Sequence, residues 1–423
     1  MGKYDCCHQF SCDGRSNNNG IYSDITISNV GPNVSSQFSE LSVSNRTPII
    51  ELKSTYGISA IRDVLVTAGG GTVTNDTVEY LVTSGGGGTG AAILESAERG
   101  RYQAGYAAEG GIGVRLPVSA TGNQIVRWGL FDSQNGLFFG QSGTTGTFLA
   151  IRRAGVDTVV PQASWNIDPL NGSGPSGQTL NLATGNIFKV VFSWYGYGVI
   201  EWQVVVQNPV DSSQKVITVH RFKPANQTSL TDPNLPVRGE INNNGTASSI
   251  TLFIGGRSYS LLGRSNTTFR VTSARRGPVT VGTTPYPLIS FQRKAIFPAG
   301  SGRSNSVNIR ISGSDILTNN DVAFLIYVGS TVNTAFVNFP TALTNIPDNE
   351  TALLVNTTST AFGTLGQVVY QSLAQGGLGN SSVLSGVETL DLTLPETSIV
   401  TLSAATFTGT ASVTSVFRMT EDW

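Results

Sequence analysis

The sequence predicts an all-β protein made of two antiparallel β-sandwich domains preceded by an extended N-terminal arm, and three observations predict it. Only 13% of the 423 residues are Asp, Glu, Lys or Arg, while 49 are Gly, a strand-and-turn composition short of strong helix formers. Short apolar runs rich in Val, Ile, Phe and Thr recur along the chain, bounded by Gly, Asn, Asp and Pro, as in antiparallel sandwiches rather than βαβ units. The length is enough for two or three domains that bury a core without disulfides or metals.

Residues 1–35 are polar and turn-rich, with Cys12-Asp13-Gly14-Arg15-Ser16-Asn17-Asn18-Asn19-Gly20 and no apolar period. Alone such a segment cannot pack, so it is expected to be an arm that orders on assembly. Residues 36–275 form the larger sandwich. Its clearest strand pair is Ile187 to Trp194 and Val199 to Val206, joined by the turn Tyr195-Gly196-Tyr197-Gly198. Side chains alternate with period two, so Phe188, Val190, Phe192 and Trp194 share one face, and Ile200, Trp202, Val204 and Val206 another. A second hairpin turn is predicted at Asn135-Gly136, between Ile125–Phe131 and Leu137–Gly140. Ala91 to Arg99 reads as one helical turn ended by Gly100, with an extended segment as the alternative. The Gly85–Gly88 run has no Lys after it and reads as a flexible loop, not a phosphate cradle. Residues 281–423 carry at least seven further strand patterns, from Leu288-Ile289-Ser290-Phe291 to Ala411–Arg418, and form the second sandwich. The boundary is expected near 272–286, around Pro278.

The formal net charge of −1 leaves no basic field to neutralise phosphates, which argues against nucleic acid. No apolar run suits a secretory signal or a membrane span, so no membrane insertion is expected. Cys6, Cys7 and Cys12 all fall in the arm beside His8. Zinc ligation, a disulfide from Cys12 and reduced thiols all remain open, and the absence of a second ligand pair favours thiols. No cofactor and no metal are expected.

Catalysis has little to work with. His8 lies in the arm and His220 in the alternating strand Val216–Phe222, where it reads as a satisfied strand residue. Glycosidases need two carboxylates across a groove. Glu201 sits opposite its strand's apolar face, and Glu388 and Asp391 fall on different faces of theirs. Thr318-Asn319-Asn320-Asp321 reads as a turn rather than a calcium loop. A Gly-Arg-Ser-Asn phrase recurs from Gly14, Gly263 and Gly302, consistent with repeated turn chemistry. Asn-x-Ser/Thr acceptors such as Asn75, Asn171, Asn244 and Asn356 follow from composition. Tyr195 and Tyr197, placed in a hairpin turn, are the candidate residues for a glycan or for an interface.

The phrases Glu98-Arg99-Gly100-Arg101-Tyr102-Gln103-Ala104-Gly105-Tyr106, Gly111-Ile112-Gly113-Val114-Arg115, Gly129-Leu130-Phe131-Asp132, Asn135 to Gly140, Leu235-Pro236-Val237-Arg238 and Glu421-Asp422-Trp423 resemble structural proteins of large DNA viruses and tailed phages. The likeness spans residues 90 to 423 and carries no catalytic signature. It implies a concanavalin-like or jelly-roll sandwich followed by a second β-domain, in a minor capsid, cement, spike or fibre component of a virion. The likeness leaves the arm uncovered and brings no functional residues; few charges and stacked sheets independently suit a rigid block whose expected partners are copies of itself and neighbouring coat proteins, with Lys3, Cys6, Cys7 and Cys12 in the assembling arm. A glycan-binding adhesin or receptor-binding protein on an extracellular surface is the alternative. A carbohydrate-active enzyme on the same sandwich ranks below both.

Overall fold

The computed structural model describes residues 46–207, 214–263, 270–377, 381–384, 392–395 and 398–422. The arm residues Lys3, Cys6, Cys7 and Cys12, and with them Glu388 and Asp391, lie outside the described residues. The described chain is all β, with short 3-10 turns and no α-helix among the described residues.

Two sheets make the first sandwich. One runs β13 (Gln214–Phe222), β12 (Ile200–Gln207), β11 (Asn186–Phe192), β6 (Ala107–Arg115), β15 (Thr251–Leu262), β4 (Tyr80–Thr83) and β3 (Thr72–Asn75), with β1 (Arg46–Leu52) also paired to β15. The other runs β10 (Val156–Pro161), β9 (Gly146–Arg153), β8 (Asn135–Ser142), β7 (Ile125–Phe131), β14 (Val237–Asn242), β5 (Ala91–Ser96) and β2 (Asp63–Ala68). Every pairing is antiparallel. Alternation sends one side chain in two between the sheets. There Trp128 of β7 meets Phe188 of β11 edge-on at 5.1 Å, and Phe139 of β8 lies 4.9 Å from Phe188. Full burial of such a ring stabilises by about 1.5–3 kcal/mol.

The second sandwich pairs a sheet of β16 (Arg270–Val281), β26 (Ala411–Asp422), β18 (Asn308–Thr318) and β24 (Ser381–Leu384) with one of β21 (Leu353–Asn356), β17 (Tyr286–Arg293), β25 (Ile399–Thr406), β19 (Val322–Val328) and β23 (Gln367–Ala374). A small ribbon, β20 (Thr331–Val332) with β22 (Phe362–Thr364), flanks it. Its core is a separate cluster that includes Phe291, Phe324, Phe417 and Met419.

Four local readings of the sequence change. Ala91–Ser96 is a strand rather than a helical turn, because β2 and β14 bond both its edges and outweigh its helix formers. The β7–β8 turn falls one step before Asn135-Gly136, at Asp132–Gln134. The Asp132 carboxylate accepts from the N–H groups of Gln134 and Asn135, which closes the turn, and Gly136 pairs with Phe131 inside the ladder. The Gly85–Gly88 run is tied down: fully buried Asn243 donates to the carbonyls of Gly85 and Gly87, and the Gly245 N–H bonds Gly88. Pro278 lies inside β16, at a register shift between Arg276 and Val279 where its missing N–H breaks no ladder bond. The two cores divide between Leu261 and Ala274, a span that overlaps the start of the 272–286 link.

The Thr318–Asp321 stretch is the β18–β19 turn, as expected, with Thr318 Oγ1 donating to the Asn320 carbonyl.

Candidate functional site

Three polar features stand out on the first sandwich. The first is a ladder on the outer face of the β10–β2 sheet. Glu95 pairs with Arg238 at 3.2 Å, Arg238 with Glu240 at 2.6 Å, Glu240 with Arg127 at 2.6 Å, and Asp157 with Arg152 at 2.7 Å. The guanidinium of Arg152 lies 5.2 Å from the Phe138 ring centre, and that of Arg238 lies 5.2 Å from Phe131. Each carboxylate there is committed to a guanidinium, an arrangement that clamps strands rather than one that delivers a proton. Glu201 lies on the outer face of the other sheet, as expected, bonded to Arg221 at 2.8 Å. His220 is likewise satisfied in its strand: Nδ1 accepts from the Asn166 N–H at 3.1 Å and the ring stands edge-on to Trp202.

The second feature is the joint between the sandwiches, where phrases from distant parts of the chain converge. Arg101 pairs with Asp422 at 2.7 Å and Arg310 with Glu98 at 3.2 Å. Arg303 of the third Gly-Arg-Ser-Asn phrase donates to the Thr231 carbonyl at 3.0 Å. Arg99 pairs with Asp132 and donates to the Asn234 carbonyl. Gly100 lies flat under Tyr259, where a Cβ would stand 2.5 Å from the ring. Glu421, fully buried, accepts from Thr351 and from the Ala352 N–H at 2.6 Å.

Burial alone raises the Asp132 carboxyl, but the Arg99 guanidinium and the Asn135 and Gln134 N–H groups outweigh it and hold it below its ordinary 3.8. Asp132 thus adds stability that is present above pH 3.8 and is lost as pH falls through its lower folded value. Burial also holds His220 below its ordinary 6.5. Its neutral form adds stability present above pH 6.5 and lost as pH falls through the folded value. Urea titrations at stepped pH should therefore give midpoints that decline in two stages on acidification. A midpoint flat from pH 7 to 4 would contradict the reading of His220.

The third feature is the β11–β12 hairpin tip, and it holds both predicted tyrosines. Tyr195 is 50% exposed and Tyr197 64% exposed. The turn is closed by the Gly198 N–H on the Trp194 carbonyl at 2.8 Å and braced by the Ser229 N–H on the Gly196 carbonyl at 3.0 Å. Tyr195 has φ 36° and Gly196 φ 79°. A left-handed backbone is ordinary for Gly but strained for a bulky side chain. Such strain persists only where surrounding contacts impose it, and it gathers at functional sites.

Those contacts come from Tyr102 and Trp194, which the hairpin signal alone did not reveal as a support. Tyr102 Oη accepts from the Tyr195 N–H at 3.0 Å. Its ring stands edge-on to Trp194 at 5.6 Å and to Tyr195 at 6.5 Å. The Trp194 indole donates to the Leu230 carbonyl at 3.3 Å. Burial pushes the Tyr102 phenol up, against the opposing bond from Tyr195, so it stays a neutral acceptor. The tip therefore presents two exposed rings on a fixed aromatic base. No group of three or more His, Cys, Asp and Glu side chains converges to hold a metal among the described residues.

No family model and no curated protein matches the chain. Solved structures that resemble it include the cellulose-induced protein Cip1, with 15% identity over 50% of this chain and 96% of that one and a TM-score of 0.30. A glycosyl hydrolase family protein from Mycobacterium fortuitum gives 8% identity over 50% and 99%, with a TM-score of 0.34. Lectin I-B4 from Griffonia simplicifolia, in metal-free form, gives 8% over 50% and 99%, with a TM-score of 0.32. Similarity at this level says nothing of ligand or activity. No helix among the described residues is long and apolar enough to cross a membrane.

Proposed function

We propose that this chain is a non-enzymatic display protein whose first sandwich binds glycan at the Tyr195–Tyr197 tip. The observation that carries the reading is the pair of exposed rings held on a left-handed turn by Tyr102 and Trp194. A tyrosine offers a rigid apolar face to the C–H side of a pyranose and a hydroxyl to its polar edge, at small entropic cost. The test is a glycan array probed with the full chain and with a Tyr195→Ala/Tyr197→Ala variant. The expected result is a restricted set of bound glycans, weakened about tenfold or more in the variant. A blank array at millimolar ligand, or a variant that binds equally, overturns the reading.

A virus particle is the setting we propose for this display. The support is the resemblance, together with the ion pair by which two of its phrases meet, Arg101 with Asp422, at a joint that suits a two-domain block. Such blocks assemble through repeated contacts with copies of themselves and with coat neighbours. In this setting a chain lacking residues 1–30 is expected to stay folded and monomeric and to be left out of particles. Normal incorporation of the truncated chain would remove the arm from the account.

A further inference from the structure

We infer that the first sandwich carries a second ligand site, distinct from the tyrosine tip, that takes a carboxylated pyranose. A recess of about 280 Å³ opens where β1, β2, β4 and the 3-10 turn Ser54–Tyr56 meet. That volume is just under the ~300 Å³ at which sites for drug-sized ligands begin, and it suits a single sugar ring.

The rim is exposed and chemically mixed: Glu51, Lys53, Tyr56 and Arg62. Lys53 makes no ion pair among the described residues, and the Arg62 guanidinium donates to a backbone carbonyl, that of Glu51, at 2.7 Å. Both cations thus keep donors for a ligand carboxylate, which binds them by charge-assisted hydrogen bonds. Tyr56, 84% exposed, offers a ring face for the pyranose, and the Glu51 carboxylate is an acceptor for sugar hydroxyls.

The floor is preorganised and adds no free negative charge. Asp63 is neutralised by Arg257, and its second oxygen accepts from the Ser59 N–H at 2.8 Å. Arg257 is fully buried beneath Tyr80, so the pair below the recess carries no net charge and the rim sets the local field. The Tyr80 hydroxyl bonds the Lys53 and Gly57 carbonyls. Asn75 and Ser54 pin the Ser54–Tyr56 turn through bonds of 2.8 Å to the Ser54 carbonyl and 2.5 Å to the Val78 carbonyl. The backbone that carries the rim residues is therefore fixed before a ligand arrives.

The test titrates the full chain with glucuronic acid and N-acetylneuraminic acid, reading saturation transfer and heat, with glucose and acetate as controls. The acidic sugars should bind at least about tenfold more tightly than either control, since each control keeps only half the contacts. Lys53→Ala/Arg62→Ala and Tyr56→Ala, all exposed positions, should each weaken the acidic sugar about tenfold with thermal unfolding unchanged. Tyr195→Ala/Tyr197→Ala should leave it unaltered, so failure here and failure at the tip are separable. Equal binding of glucose, no binding at millimolar ligand, an unaffected Lys53/Arg62 variant, or loss in the Tyr195/Tyr197 variant instead would each overturn the assignment.

Discussion

Asp63→Ala will lower the unfolding free energy by about 3–5 kcal/mol, because it leaves the Arg257 guanidinium buried with no counter-ion. The pair has side-chain exposures of 1% and 0%, and Arg257 lies beside Leu52 across the β1–β15 ladder, at a register shift between Ile254 and Arg257. The loss comes from the stranded charge more than from the pair itself. Asp63→Ala/Arg257→Met should accordingly recover most of it, and a double-mutant cycle in urea reads the difference. If the double variant is as unstable as Asp63→Ala, desolvated charge is not the cause and packing at this strand edge must be.

The second large effect is at the hairpin. A Cβ on Gly198 would stand 1.4 Å from the Ser193 carbonyl oxygen, which is backbone and cannot swing aside. Gly198→Ala is therefore expected to open the turn, release the Trp194–Gly198 bond and abolish binding at the tip. The body of the sandwich should survive, since Phe188, Val190, Trp202 and Val204 are packed further down the same two strands. Near-ultraviolet dichroism should lose the Trp194–Tyr102 signal while far-ultraviolet strand content persists. Retention of full glycan binding in Gly198→Ala would show that tip geometry is not what the ligand reads.

That hairpin was legible in the sequence because its information is local: two alternating runs, each with a clean apolar face, around Tyr-Gly-Tyr-Gly. The same holds for the second sandwich, where Ile309, Phe324, Val400 and Val413 all bury as their runs implied. What was hidden depends on partners far along the chain. Tyr102, which props Tyr195, is 93 residues away, and nothing in its own neighbourhood marks it as a support. Ala91–Ser96 has helix-forming residues, and only the strands that flank it make it extended. Gly85–Gly88 looked loose because its anchor, Asn243, lies more than 150 residues on. The recess around Lys53 and Arg62 was illegible for a related reason: its walls are close in sequence, but Arg257, which pairs with Asp63 beneath them, is 194 residues on.

The most direct test of the account is a titration of the full chain, with tyrosine rings selectively labelled, against the best oligosaccharide from the array, reading intermolecular NOEs. The account predicts contacts from the Tyr195 and Tyr197 rings to the axial protons of one pyranose face, with Tyr102 and Trp194 shifted but not in contact. Contacts confined to other tyrosines, or no ring contact at saturation, would contradict the assignment of this tip as the glycan site.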